Sequence, residues 1–190
     1  MTPAVGPQDR TDIVRALRTD SHRSVTLREV RPGDLRQSLR DRSVDLVLAC
    51  VSGTAGEALD RADLRPSRMQ VHVPAGHPLA GAQTAGLEDF DGERLLTASP
   101  PRTPYTDLLV ERFASAGATV TPVEARVTGG AHMLTELVEA DAIAAMPVGT
   151  SSPSGVCRLD IPAFTMPLLV LWTAGRPPQA VGRLRATMHA

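Results

Sequence analysis

Apolar residues recur along the chain at two spacings, and the switches between them mark its elements. Ile13, Val14 and Leu17 fall on one face of a segment from about Arg10 to Asp20, leaving Arg15 and Arg18 for water, which predicts a short amphipathic helix. Val25, Leu27 and Glu29 then alternate with Thr26, Arg28 and Val30, a β-branched run that predicts a strand stopped by Pro32-Gly33. Asp34 opens a second helix with Leu35 and Leu39 inward. The run VDLVLA, Val44 to Ala49, is nearly continuous apolar and suits a strand covered on both faces of a parallel sheet. Alternation of strands and helices in this order is a doubly wound α/β pattern.

Ser52 to Ser67 is less regular, and Met69, Val71 and Val73 resume a strand that ends in the turn Pro74 to Pro78. After Leu87 to Phe90 the theme repeats. Leu95, Leu96 and Ala98 predict a strand, Pro100 to Pro104 a stiff loop, and Thr106 to Ala116 a helix with Leu108, Leu109 and Phe113 inward and Gly117 as its stop. Val123, Ala125 and Val127 alternate in a further strand, followed by Thr128-Gly129-Gly130 and a helix carrying Met133, Leu134, Leu137 and Val138. Ile143 to Met146 predicts a buried strand, Cys157 to Leu159 and Leu168 to Trp172 two more, and Val181, Leu184 and Met188 a closing helix. Two similar α/β halves thus follow one another, with a groove expected between them at the carboxyl ends of the strands.

Composition narrows the chemistry. The 190 residues, 42% hydrophobic, suffice for one compact domain or two small lobes. Basic and acidic residues number 20 and 21, so the chain lacks the cationic surface that phosphate backbones require. Every basic residue is arginine, which excludes lysine-dependent phosphate grips and Schiff bases. Two cysteines, Cys50 and Cys157, without a CxxC, suggest neither a disulfide framework nor a zinc knuckle, and Cys50 reads as a small hydrophobe ending a buried strand. His72 and His77 flank a turn but lack a third metal ligand, and no G-x-S-x-G marks a serine nucleophile. Residues 1–10 show no export signal and no run reaches 18 apolar residues, so a cytoplasmic protein is expected.

The candidate chemistry is therefore ligand binding at the loops Gly6 to Asp9, Arg31 to Asp34, Pro100 to Tyr105 and Thr128 to His132. Each precedes a helix, so its backbone N–H groups favour an anion. Arg31 and Arg102, one from each half, are candidate carboxylate ligands, against the commoner fate of a solvated surface arginine. Thr103, Thr128 and Gly129 are candidate cleft-lining residues, with helix capping the alternative for both threonines, and His132 is either a ligand contact or solvated.

Four segments, in order and spacing, resemble the effector-binding domain of LysR-type transcriptional regulators. They are VTLREVRPGDLRQSLRDRSVDLVLA (Val25 to Ala49), VHVPAGHPLA (Val71 to Ala80), LEDFDGERLL (Leu87 to Leu96) and LTELVEADAIAAMP (Leu134 to Pro147). The resemblance covers essentially the whole chain. It implies a type 2 periplasmic-binding-protein-like α/β fold, two subdomains joined by two crossover strands around a central cleft. Subdomain I would comprise about 1–73 and 149–190, and subdomain II about 74–148. It also implies a small-molecule effector, expected to be anionic from the loops above, and a homodimer, or a tetramer with a full-length regulator; no cofactor is expected, and without a recognisable acid/base pair or a lysine no enzyme activity is expected either. In that dimer the helix near Ile13 to Arg18 and the strand Val25 to Val30 of one chain would meet the helix Thr106 to Ala116 of another. DNA contact would run through an N-terminal helix-turn-helix not present in this sequence, which resembles a regulatory domain cut from a longer regulator or a natural remnant.

Two departures from the family pattern stand out. Pro32 occupies the position where the family often places a serine or threonine for the effector carboxylate, so Arg31 is the substitute donor. The glycine-rich turn before the crossover is Ala140-Asp141-Ala142. The resulting ligand-binding set is Gln8, Arg31, Pro32, Arg102, Thr103, Thr128, Gly129 and Pro147, with no catalytic residue and no metal ligand. An enzyme or a solute-binding protein on the same bilobal scaffold is the alternative.

Overall fold

The computed structural model describes residues 1–2, 4–18, 24–30, 34–50, 58–127 and 130–188. By their contacts they form two units, Met1–Ser67 with Met166–Ala190, and Arg68–Thr165. The chain therefore passes between units at 67–68 and 165–166, against the expected 73–74 and 148–149.

In the first unit, α1 (Pro7–Leu17) begins earlier than its apolar spacing suggests. Pro7 supplies the preset φ of a first helical position, so the expected loop Gly6 to Asp9 is largely the first turn of the helix. Ile13 and Ala16 are buried there, as is Asp9. The stretch 24–30 does not become a regular strand. Only its end pairs: Met1 N–H donates to Arg28 O at 2.7 Å and Val30 N–H to Met1 O at 2.9 Å, while Leu27 stays 45% exposed.

Next come α2 (Leu35–Arg40) and β1 (Val47–Ala49), all three residues of β1 buried. β2 (Leu59–Asp63) lies in the stretch that sequence periodicity left irregular, and pairs antiparallel with β8 (Leu169–Thr173), Arg61 opposite Leu171. β1 takes the other edge of β8, Leu48 opposite Val170. Val30, Leu35, Leu39, Val47, Ala49, Leu59 and Leu171 form the core on this sheet. α5 (Gln179–Met188) packs against α1.

The second unit carries one five-strand array. β4 (Arg94–Thr97) and β5 (Thr121–Glu124) pair in parallel, with Leu96 opposite Val123. β4 also meets the start of β6 (Ala144–Pro147) through a parallel bridge, Leu95 with Ile143. β6 runs antiparallel to β3 (Ser67–Pro74), whose far side holds β7 (Val156–Met166). The order is β5-β4-β6-β3-β7.

α3 (Pro104–Ser115) again starts on a proline and stops where expected. Gly117 takes φ +90°, and the N–H groups of Ala118 and Gly117 return to Phe113 O and Ala114 O, both at 3.0 Å, a Schellman ending that needs a left-handed residue. The helix expected after Gly130 is mostly a 3-10 segment, Gly130–Glu136, before α4 (Leu137–Ala140). Three residues per turn set Leu134 and Leu137 on one buried face and turn Val138 outward, 58% exposed. Asp141, in the turn Ala140-Asp141-Ala142, adopts the left-handed conformation at φ 45°, which a short Asx side chain tolerates.

Candidate functional site

Because β4, β5 and β6 are parallel, their carboxyl ends lie along one edge of the second unit's sheet. The loops beginning near Ala98, Ala125 and Pro147 therefore leave from the same edge, where ligands of open α/β sheets bind. Arg102 and Thr103 lie on the first of these loops and Pro147 opens the third. Thr128 and Gly129, on the second, lie outside the described residues, as do Arg31 and Pro32 of the first unit.

The first loop is built by hydroxyls. Thr97 Oγ1, buried at the end of β4, donates to Ser99 O at 2.8 Å, and Thr106 Oγ1 donates to the same carbonyl at 3.1 Å. Thr103 Oγ1 donates to Pro100 O at 2.9 Å and contacts Thr106 Oγ1 at 3.2 Å. Thr103 thus stands at the cap position of α3 without capping it through its side chain, because its hydroxyl is spent on the preceding turn. Arg102 is held outward on this frame, exposed and at φ +65°. No described carboxylate pairs with its guanidinium, so it is available to an anion.

The third loop is anchored from beneath. Pro147 is buried, and its carbonyl accepts Thr150 N–H at 3.1 Å and Thr150 Oγ1 at 2.7 Å, so it shapes a turn rather than presenting a polar group. Gln70 Nε2 donates to Thr150 O at 3.1 Å and to His72 Nε2 at 2.8 Å. An accepting Nε2 leaves the proton of neutral His72 on Nδ1, facing Ser152 Oγ at 3.1 Å. Burial, with Arg158 adding to it, pushes the His72 pKa down to about 4.

The second loop is governed by Glu136, which no sequence pattern singled out. Only 7% exposed, its carboxylate accepts Arg126 N–H at 3.0 Å and Val127 N–H at 2.5 Å. The Arg126 N–H, together with that of Val127 and the Arg126 side chain, holds the carboxyl below its ordinary pKa despite burial. A buried acid nine and ten residues beyond the two amides it binds leaves no local signal in the sequence. His132, the other candidate on this loop, is exposed.

In the first unit Gln8 sits in the opening turn of α1, exposed, with Nε2 3.2 Å from Asp12 Oδ1. Behind it, buried Asp9 accepts Ser67 Oγ at 2.5 Å and pairs with Arg65 Nη2 at 3.1 Å, while Arg65 also holds Asp12 at 2.6 Å. Cys50 is buried, and its thiol is pushed up to about 12 by burial and by the nearby Asp9 charge, the opposite of a reactive thiolate. Elsewhere His77, its Nδ1 accepting Leu79 N–H at 3.1 Å, turns Nε2 toward Glu93 at 3.2 Å. The described residues contain no group of three or more potential metal ligands and no helix long and apolar enough to cross a membrane.

The model of the LysR substrate binding domain matches residues 11–190. No curated protein matches the sequence. Among solved structures, the chain is similar to the BenM effector-binding domain with its effector benzoate, at 18% identity and TM-score 0.72, covering 95% of this chain and 83% of that one. It is also similar to the reduced OxyR regulatory domain from Pseudomonas aeruginosa, at 17% identity and TM-score 0.72, covering 98% and 93%. Full-length BenM matches at 20% identity and TM-score 0.72, over 97% of this chain but 62% of that one, so this chain spans less than two thirds of that regulator.

Proposed function

This chain belongs to the family of LysR substrate-binding domains, with its type 2 periplasmic-binding-protein-like α/β fold, and we propose that it senses a small anionic metabolite. The ligand would bind in the cleft that the family resemblance implies, with Arg102 as carboxylate partner and the loops after β4, β5 and β6 as its walls. The observation that supports this most is the parallel placement of those three strand ends, with an exposed arginine on the first loop that no described carboxylate pairs. Gln8, Arg31, Pro32, Thr128 and Gly129 complete the proposed contact set, and Thr103 and Pro147 shape it through backbone bonds. Binding would act on a homodimer, its response read by a DNA-binding domain of a longer regulator, and no bond in the ligand would be broken.

Amide chemical-shift mapping tests the reading, with benzoate, the effector named for BenM, as the first probe and aliphatic dicarboxylates as the second. Perturbations gathered at 99–106, 126–132 and 147–150 are expected, and their loss in Arg102→Ala. Shifts confined to residues elsewhere, or identical in Arg102→Ala, would overturn it. Sedimentation at micromolar concentration checks the dimer, which a monomeric mass would contradict.

A further inference from the structure

A carboxylate buried to 7% exposure is costly unless its charge is met, and Glu136 meets it almost entirely with backbone. Its two oxygens take the N–H groups of consecutive residues, Arg126 at 3.0 Å and Val127 at 2.5 Å. Successive amides turned to one side form an anion-binding concavity, and a side chain that fills it fixes both peptide planes at once. The Arg126 side chain adds little to this grip. It is 75% exposed, 3.4 Å from Glu136 and 2.8 Å from Glu139, a pair that solvent screens. Arg126 and Val127 are the last described residues before Thr128 and Gly129.

We infer that Glu136 is a positioning residue of the ligand site, its carboxylate setting the backbone from which the loop after β5 meets the ligand. The inference rests on the function proposed above. Glutamine is the informative replacement, because it keeps the shape but offers one acceptor oxygen and turns an NH2 toward the other amide. Arg126→Ala is the control, since it removes the ion pair and leaves the backbone donors in place.

The test uses the whole chain labelled with 15N. In the wild type, the amide protons of Arg126 and Val127 should move together as pH falls from 7 to 3, with a common midpoint below the ordinary Glu value of about 4.3. The step should persist at Val127 in Arg126→Ala and vanish in Glu136→Gln. Benzoate, then aliphatic dicarboxylates, are titrated against all three proteins. Glu136→Gln is expected to weaken binding at least tenfold, and by more than Arg126→Ala does. Absence of the common amide step overturns the inference even if Glu136→Gln fails to fold. So does a carboxylate that binds wild type and Glu136→Gln equally. If the step is present but no carboxylate binds wild type, the proposed function falls, and Glu136 is reduced to a structural clamp.

Discussion

Replacing His72 tests the buried polar layer beneath the third loop through its response to pH. The imidazole is fully buried, accepts Gln70 Nε2 at 2.8 Å, and faces Ser152 Oγ at 3.1 Å. Arg158 is the charged group acting on it, and it opposes a second positive charge. Burial and Arg158 take the pKa from 6.5 to about 4. The unfolded chain therefore binds a proton near pH 6.5 that the folded chain refuses until about pH 4, so stability rises with pH between these values. The contribution is complete above 6.5, is lost as pH falls through this window, and is gone below about 4. About 2.5 pKa units at 1.36 kcal/mol each give about 3 kcal/mol. Urea unfolding of wild type and His72→Gln at pH 7, 5.5 and 4, followed by circular dichroism for both units and by Trp172 fluorescence for the first, measures it. The gap in stability between the proteins should narrow by about 3 kcal/mol from pH 7 to 4, with the Trp172 transition little changed. A gap independent of pH would refute the buried, neutral imidazole.

Three further outcomes follow from packing and burial. Phe113 is fully buried, edge-on to Phe90 at 6.2 Å and to Phe164 at 5.8 Å, so Phe113→Ala should cost about 3–5 kcal/mol in urea unfolding, and a loss under 1.5 would contradict this packing. Ser67→Ala removes the hydroxyl that donates to buried Asp9 and should cost about 1–3 kcal/mol by the same assay, whereas a neutral result would mean Asp9 is satisfied without it. With its thiol pushed up to about 12, Cys50 should resist iodoacetamide at pH 8 until urea is added, while half-buried Cys157 reacts first; equal labelling of both in the native protein, read by mass spectrometry, would contradict the burial.

The elements legible in the sequence are those whose own side chains carry the pattern. α3, β3, β8 and α5 lie where Leu108 and Phe113, Met69 to Val73, Leu169 to Trp172, and Val181 to Met188 place them. β2 was hidden because three of the five residues of LDRAD, Asp60, Arg61 and Asp63, are charged, and only the hydrogen bonds of β8 make it a strand. The reverse holds for 24–30, where β-branched residues suggest a strand but pairing is confined to the bonds around Met1. At the site, the loop Pro100 to Tyr105 was legible because Pro104 opens the helix after it, whereas Pro7 turns most of the expected loop Gly6 to Asp9 into the first turn of α1. What chain order could not show is how those loops are held, because Glu136, Gln70, His72 and Ser67 act on backbone or side chains distant in sequence.

The most direct test of the central claim is a thermal-shift screen of the whole chain against aromatic carboxylates, aliphatic dicarboxylates, amino acids and phosphorylated metabolites. A ligand at 100 times its dissociation constant adds about 2.7 kcal/mol to stability, enough for a clear upward shift. The account predicts a selective hit among the carboxylates that weakens by about 1.5–3 kcal/mol in Arg102→Ala. Stabilisation by no carboxylate, or by one that binds Arg102→Ala just as tightly, would contradict it.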